Sequence, residues 1–307
     1  MAIVAAQDED ILLASHDAWL QSIATPILIG NIPQVESLAS DLDVDLSPWE
    51  LVHRPDALDA AREAVELVRA GRADMMVKGA LETRHFLRAA LDRQRGLRSG
   101  HLLTHVGVFE LPSIDRLLLL SDSGVVIAPS LEQKVQIVRN AIFLARCLGI
   151  EQPKVAVLAA TEMVNPNIPA TLDAANLAKM GDRGQIAGAL IDGPLALDNA
   201  ISLKSSRVKG ISSPVAGCAD ILICPDIEAG NVLGKAMTYF AGGKMAGVVV
   251  GASAPLVMAS RSDPRQTKLF SMALGAVLAS RSECLLPPDP SDEASLALGR
   301  PPASESD

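Results

Sequence analysis

Aromatic residues make up only 3% of this 307-residue chain, too few to build a surface on which nucleic-acid bases stack. Basic residues are also scarce: 27 Lys and Arg stand against 36 Asp and Glu, for a net charge of −9. That balance argues against a nucleic-acid-binding face, although a few arginines in one cleft still suffice for an anionic substrate. No apolar run reaches the roughly 18 residues of a membrane span. No basic stretch followed by an apolar run and a cleavage site opens the chain, so the expectation is a cytoplasmic protein. The four cysteines (Cys147, Cys218, Cys224, Cys284) show no C-x-x-C spacing. Buried free thiols are therefore expected rather than a metal site or a disulfide framework. The dinucleotide fingerprint G-x-G-x-x-G, the G-x-S-x-G nucleophile elbow and repeats of solenoid type are missing as well.

What is present is an alternation of strand-like and helix-like segments. Strands are expected at 26–29, 74–77, 117–120, 155–160, 189–191, 219–224 and 247–250, several of them continuous Val/Ile/Leu runs that suit strands covered on both faces. Between them, 55–70 carries Leu58, Ala61, Val65 and Val68 on one helical face, with Pro55 and Asp56 as a start signal. Segment 131–148 repeats the pattern, with Gly149 as its stop, and 267–280 forms a third such helix. The alternation predicts an α/β architecture with mostly parallel sheets. Residues 287–307, rich in Pro, Ser, Asp and Glu, are expected to be a disordered tail.

The stretch Gly217–Asp263 carries the densest chemical signal. Its two apolar runs each empty into a polar, glycine-containing turn, and the turn 225–231 leads into a helix. A strand end followed by a Gly-Asn turn and a helix start places backbone N–H groups where an anion can sit. Gly230 to Ala236 has a superficial likeness to a P-loop, but it is one residue short between its glycines and has Ala236 where a Mg²⁺-binding hydroxyl belongs. Lys235 is then read as a solvated helix residue. Ser260 and Arg261 add a hydroxyl and a cation whose planar fork suits phosphate; the blander reading of Arg261 is a salt bridge to Asp263. Asp192 is placed at a strand's carboxyl edge, where open α/β sheets bind ligands, and Asp198 is either a ligand group or a helix N-cap. Lys204, Arg207 and Lys209 form either a basic rim or a solvated face. His101 and His105 are four apart, but their neighbours look extended, which leaves a metal reading weak.

Taken together, Asp192-Gly193-Pro194-Leu195-Ala196-Leu197-Asp198, Pro225-Asp226-Ile227-Glu228-Ala229-Gly230-Asn231 and Ser260-Arg261 resemble the phosphate acetyl/butyryltransferase family. The likeness extends from Met75-Met76-Val77-Lys78-Gly79 through Ser121-Asp122-Ser123-Gly124 and Asn165-Pro166 to about Ala279, and is closer to the butyryl branch. It implies a two-domain isocitrate/isopropylmalate dehydrogenase-like α/β fold with an interdomain cleft. The first domain would comprise 1–100 plus 250–286 and the second 101–249. It also implies a homodimer, and reversible transfer of a short acyl group between coenzyme A and inorganic phosphate. Coenzyme A enters as a substrate, and no metal or prosthetic group is implied. Ser260, Arg261 and Asp263 become the candidate catalytic residues, and Arg88, Asp192, Asp226, Glu228, Gly230 and Asn231 the candidate substrate-binding ones. Arg88 aligns only across a one-residue gap. Acetyltransferases of the family carry an aspartate six residues beyond the Ser-Arg arginine; here that position is Thr267, which leaves Asp263 as the nearest carboxylate. Two other readings stay open: an enzyme transferring acyl groups from acyl carrier protein to phosphate, and a non-catalytic sensor of coenzyme A or acyl phosphate.

Overall fold

The structure, a computed structural model, describes residues 1–260 and 262–281. Arg261, Cys284 and the tail expected at 287–307 lie outside the described residues. The chain divides into two units: Met1–Phe109 with the described residues from Gly243 onward, and Glu110–Gly242.

The first unit opens with β1 (Ala2–Val4), α1 (Glu9–Leu20), β2 (Ile27–Gly30), α2 (Ile32–Asp41), β3 (Glu50–His53), α3 (Ala57–Arg69), β4 (Met76–Lys78), α4 (Thr83–Ala90) and β5 (Thr104–Glu110). The second unit contains β6 (Leu118–Ser121), α5 (Leu131–Cys147), β7 (Lys154–Leu158), α6 (Pro169–Asp182) and β8 (Leu190–Leu195). The short helices α7 (Leu197–Ile201) and α8 (Leu203–Val208), then β9 (Ile221–Ile223) and α9 (Ile227–Tyr239), complete it. The chain returns to the first unit with β10 (Lys244–Val250), β11 (Leu256–Val257) and α10 (Arg265–Ser280).

In the first unit the strand order is β3-β2-β1-β4-β11-β10-β5. Strands β3, β2, β1, β4 and β11 run parallel, with Ala2 opposite both Ile27 and Met76, and Leu256 opposite Met76. Strand β10 pairs antiparallel to β11. Every residue of β1, β2 and β4 is buried, as expected for strands with helices on both faces. One of those faces packs Ile3, Leu28, Met75 and Val77 against Leu12 of α1 and Met272 of α10. In the second unit the order is β6-β9-β7-β8, all parallel. No helix among the described residues is long and apolar enough to cross a membrane.

Helices with strong local signals fall where the residues place them. Asp56 caps α3, accepting the N–H groups of Leu58 and Asp59 at 2.9 and 3.0 Å. Past the end of α5, Gly149 adopts φ +90°, a conformation that favours glycine. The apolar-run criterion misses β1, β3, β5 and β11. Strand β3 lies at the sheet edge with its two end residues exposed and its two central ones partly so, so it has no continuous apolar run. Strands β1 and β11 are only three and two residues long, too short for any periodicity to register. The segment around His105 is extended, as read: His105 is buried within β5.

Candidate functional site

Because β2, β1, β4 and β11 run parallel, the chain leaves them on one edge of the first unit's sheet, at Gly30, Ala5–Asp8, Gly79 and Ser260. This carboxyl edge is where open α/β sheets place ligands. Gly79 is required there by close approach: a Cβ would lie 2.4 Å from the Ala5 carbonyl oxygen and 2.6 Å from that of Val4. The buried Lys78 folds over the same exit, its Nζ donating to the carbonyls of Gly79 and Leu81 at 3.3 and 3.2 Å.

Between β11 and α10, Ser260 and Asp263 hold one another. The Ser260 N–H donates to Asp263 Oδ2 at 2.7 Å, and the Asp263 N–H donates to the Ser260 carbonyl at 3.1 Å. The exposed Ser260 hydroxyl lies 3.1 Å from that of Ser262. Arg261, the third candidate of this group, lies outside the described residues. Thr267 stands in the first turn of α10; its N–H donates to the Pro264 carbonyl, and its carbonyl accepts the Ser271 hydroxyl. Arg88 is exposed on α4 and lines a surface cavity of about 370 Å³ together with Arg62, Glu66, Asp92 and Arg95. Neither Ser260 nor Asp263 lines that cavity.

The second unit has its own carboxyl edge, made by the exits of β6, β9, β7 and β8. At β6 the buried Asp122 carboxylate gathers three backbone N–H groups, from Gly124 (2.7 Å), Val125 (2.9 Å) and Val126 (3.3 Å). At β9 the Asp226 carboxylate accepts the Ala229 N–H at 2.8 Å and so caps α9. Asp226 thus occupies part of the helix N-terminus with its own negative charge. Glu228 is exposed in the first turn of the helix.

The turn expected at Gly230-Asn231 is not there. Both residues lie inside α9, which begins at Ile227. The glycine is needed for packing instead: a Cβ at 230 would lie 2.3 Å from the Asp122 carbonyl oxygen. Asn231 Nδ2 donates to the Ser123 carbonyl at 3.3 Å. The Asp122-Ser123 pair is thus the seat of α9. The Ser-Asp-Ser-Gly string after a run of leucines was the available signal for it.

Asp192 also falls elsewhere than at a strand end. It sits within β8 opposite Ala156, and its Oδ1 accepts the Gly193 N–H at 2.8 Å. Asp198 is not the cap of α7, since Ala196 holds that position. It pairs instead with Lys209, whose Nζ is 3.3 Å from both Asp198 and Glu162. Lys209 is thereby neutralised rather than part of a basic rim; Lys204, Arg207 and Lys235 are exposed. Among the cysteines, Cys224 is buried at the β9 exit. Desolvation, then the charges of Asp226 and Asp122, push its thiol up from 9.0 to about 12. It remains a protonated core group rather than a nucleophile.

Comparison with known proteins adds to this geometry. Residues 51–276 match the family model described as "Phosphate acetyl/butaryl transferase". The phosphate butyryltransferase of Clostridium acetobutylicum is 47% identical over 279 residues, covering 91% of this chain and 93% of that protein. The phosphate acetyltransferase of Thermotoga maritima is 42% identical over 91% of this chain and 95% of its own length. Among solved structures, a branched-chain phosphotransacylase from Enterococcus faecalis V583 superposes with a TM-score of 0.80 at 31% identity, covering 91% of this chain and 99% of that one. A match of this length and identity leaves one assignment: the chain belongs to the phosphate acetyl/butyryl transferase family, the phosphate acyltransferases that convert acyl-CoA and phosphate to acyl phosphate.

Proposed function

We propose that this enzyme works on butyryl-CoA or an acyl-CoA of similar length in preference to acetyl-CoA, with the Ser260–Asp263 segment at the reacting atoms. The observation that carries the reading is the segment after β11, at the carboxyl edge of the first unit's sheet. It presents an exposed hydroxyl, has Arg261 next in sequence, and is braced by the Asp263 carboxylate on the Ser260 N–H. Toward acyl phosphate, a phosphate oxygen attacks the thioester carbonyl and the thiolate of coenzyme A departs, taking up a proton. Arg261 neutralises the phosphate, and the Ser260 hydroxyl donates to the charge that develops on the carbonyl or sulfur. In the reverse direction Asp263 takes the thiol proton; the hydroxyl of Thr267, standing where acetyltransferases of this family carry an aspartate, is too weak a base to take that proton at neutral pH. Arg88, Asp226, Glu228 and Asn231 are proposed to bind the remainder of the substrates.

The butyryl preference follows the residues at 192–200 and the Ser-Arg-Ser-Asp string. Acyl phosphate formation from acetyl-, propionyl-, butyryl- and branched acyl-CoA tests it. Butyryl-CoA is expected to exceed acetyl-CoA by about tenfold or more in kcat/KM, since each methylene in an apolar pocket contributes roughly 1–3 kcal/mol. Equal or better turnover of acetyl-CoA would sink the preference. Coenzyme A binding with no turnover of any thioester would favour the sensor reading.

We also propose that the enzyme acts in the cytoplasm as a homodimer. Support comes from apolar side chains on α9 and its C-cap: Val232 is 69% exposed, and two turns further on the adjacent Tyr239 and Phe240 are 70% and 92% exposed, more than a lone monomer surface ordinarily leaves together. Light scattering should give twice the chain mass, and Phe240→Glu should halve it. A wild-type protein at the mass of one chain would overturn the dimer.

A further inference from the structure

Helix α10 starts five residues after Ser260, and its N-cap, Pro264, offers no side-chain hydrogen bond. Two contacts to α1, from the opposite end of the chain, hold that first turn instead. The Arg265 guanidinium bonds to both carboxylate oxygens of Asp17. Lys268, only 3% exposed, sets its Nζ 3.2 Å from Asp8 Oδ1 and 3.3 Å from Asp10 Oδ2. Asp8 is itself fixed, because the same Oδ1 accepts the Ile11 N–H at 2.9 Å and caps α1.

These contacts close a ring. Strand β11 is paired to β4 and β4 to β1; β1 runs on to Asp8, and Asp8 grips Lys268. The segment bearing Ser260 is thus bounded on one side by a sheet hydrogen-bond ladder and on the other by a buried ammonium. We propose that Lys268 is a positioning residue for the acyl transfer, setting where the Ser260 hydroxyl and the neighbouring Arg261 stand; this rests on the role given to Ser260 above.

The energetics favour position over stability as its purpose. A buried ion pair is a weak stabiliser compared with an apolar side chain of similar volume, because desolvation cancels much of the attraction. It does impose direction, as an ammonium between two carboxylates has one place to be. Asp8 and Asp10 side chains are 27% and 44% exposed, so removing the lysine leaves neither carboxylate stranded away from water. Methionine at 268 should therefore preserve the fold and lose only the tether.

The test is acyl phosphate formation from butyryl-CoA by the full chain, with kcat and the KM for phosphate resolved separately. Lys268→Met is expected to lower kcat/KM for phosphate by about 30-fold while the melting temperature stays within a few degrees, since a misplacement near 1 Å can cost on the order of 100-fold. Lys268→Arg, which keeps the charge and both partners, should recover most of that loss. Wild-type kinetics in Lys268→Met would overturn the proposal, as would a fall in melting temperature alone. If Lys268→Met does not fold, Asp10→Asn removes one of the two anchors. It should lower kcat/KM for phosphate several-fold at an unchanged melting temperature, and wild-type kinetics there would overturn the proposal equally. Ser260→Ala separates the two claims. If it turns over normally, the role of Ser260 is wrong; if it is slow while Lys268→Met is normal, only the tether is wrong.

Discussion

Arg261→Ala is expected to raise the KM for phosphate by about 100-fold and to leave the KM for acyl-CoA within a few-fold, because a charge-assisted pair of hydrogen bonds to an anion contributes roughly 3 kcal/mol. Arg261 follows Ser260 in sequence, and Ser260 stands at the exit of β11, on the same sheet edge as the exits of β1, β2 and β4. Its neighbours are braced there by the Ser260–Asp263 hydrogen bonds. Lysine at 261 keeps the charge but loses the planar fork, so Arg261→Lys should recover only part of the loss. Initial rates against phosphate concentration measure this directly. Phosphate saturation unchanged in Arg261→Ala would place the phosphate site elsewhere, and the Arg62-Arg88-Arg95 cavity of the first unit would be the next place to look.

The second large effect is on stability. Gly230→Ala is expected to destabilise the protein by about 2–3 kcal/mol, the upper part of the roughly 1–3 kcal/mol range for forcing an extra carbon into a packed interface. Helix propensity alone predicts the opposite sign, since alanine improves on glycine by about 1 kcal/mol inside a helix. The clash wins because its partners are backbone: a Cβ would lie 2.3 Å from the Asp122 carbonyl oxygen and 3.0 Å from the Ser123 Cα. Asp122 cannot yield easily, as its carboxylate is engaged with three N–H groups of the following turn. Urea unfolding monitored by circular dichroism reads the difference. A Gly230→Ala protein as stable as the wild type would mean that α9 does not rest on the Asp122-Ser123 turn. Expected alongside the stability loss is a fall in activity, because Asp226 and Glu228 occupy the preceding turn of the same helix.

Those two positions also show how far residues can be read without a structure. The phosphate-site expectation came from a motif continuous in sequence, Ser260-Arg261, but the apolar run read before it is β10, and the strand that Ser260 follows is the two-residue β11. Gly230 and Asn231 misled for a definite reason. Glycine and asparagine are common in turns and weak in helices, so local propensity places a turn there. The helix forms regardless, because Asp226 caps it three residues before Ala229 and the glycine allows its second turn to lie against a neighbouring backbone. Asp192 misled similarly: the strand runs on through Gly193 and Pro194 to Leu195, and nothing local marks that extension.

Local rules were sufficient where the physics was local. Buried parallel strands are apolar throughout because helices cover both faces, and Asp56 and Gly149 mark helix ends by hydrogen bonds and backbone angles that involve only neighbouring residues. The sequence by itself therefore determined the α/β class, the helices at 57–69, 131–147 and 265–280 to within a few residues, and the transferase family. Only the tertiary structure decided that Gly230 serves packing, that Lys209 is neutralised, and that Lys268 joins α10 to the first helix of the chain. Each of those depends on a partner at a distance that composition and spacing do not encode: Asp122 is 108 residues before Gly230, and Asp8 is 260 before Lys268. Contacts of that kind come into being only when the strands between them have paired.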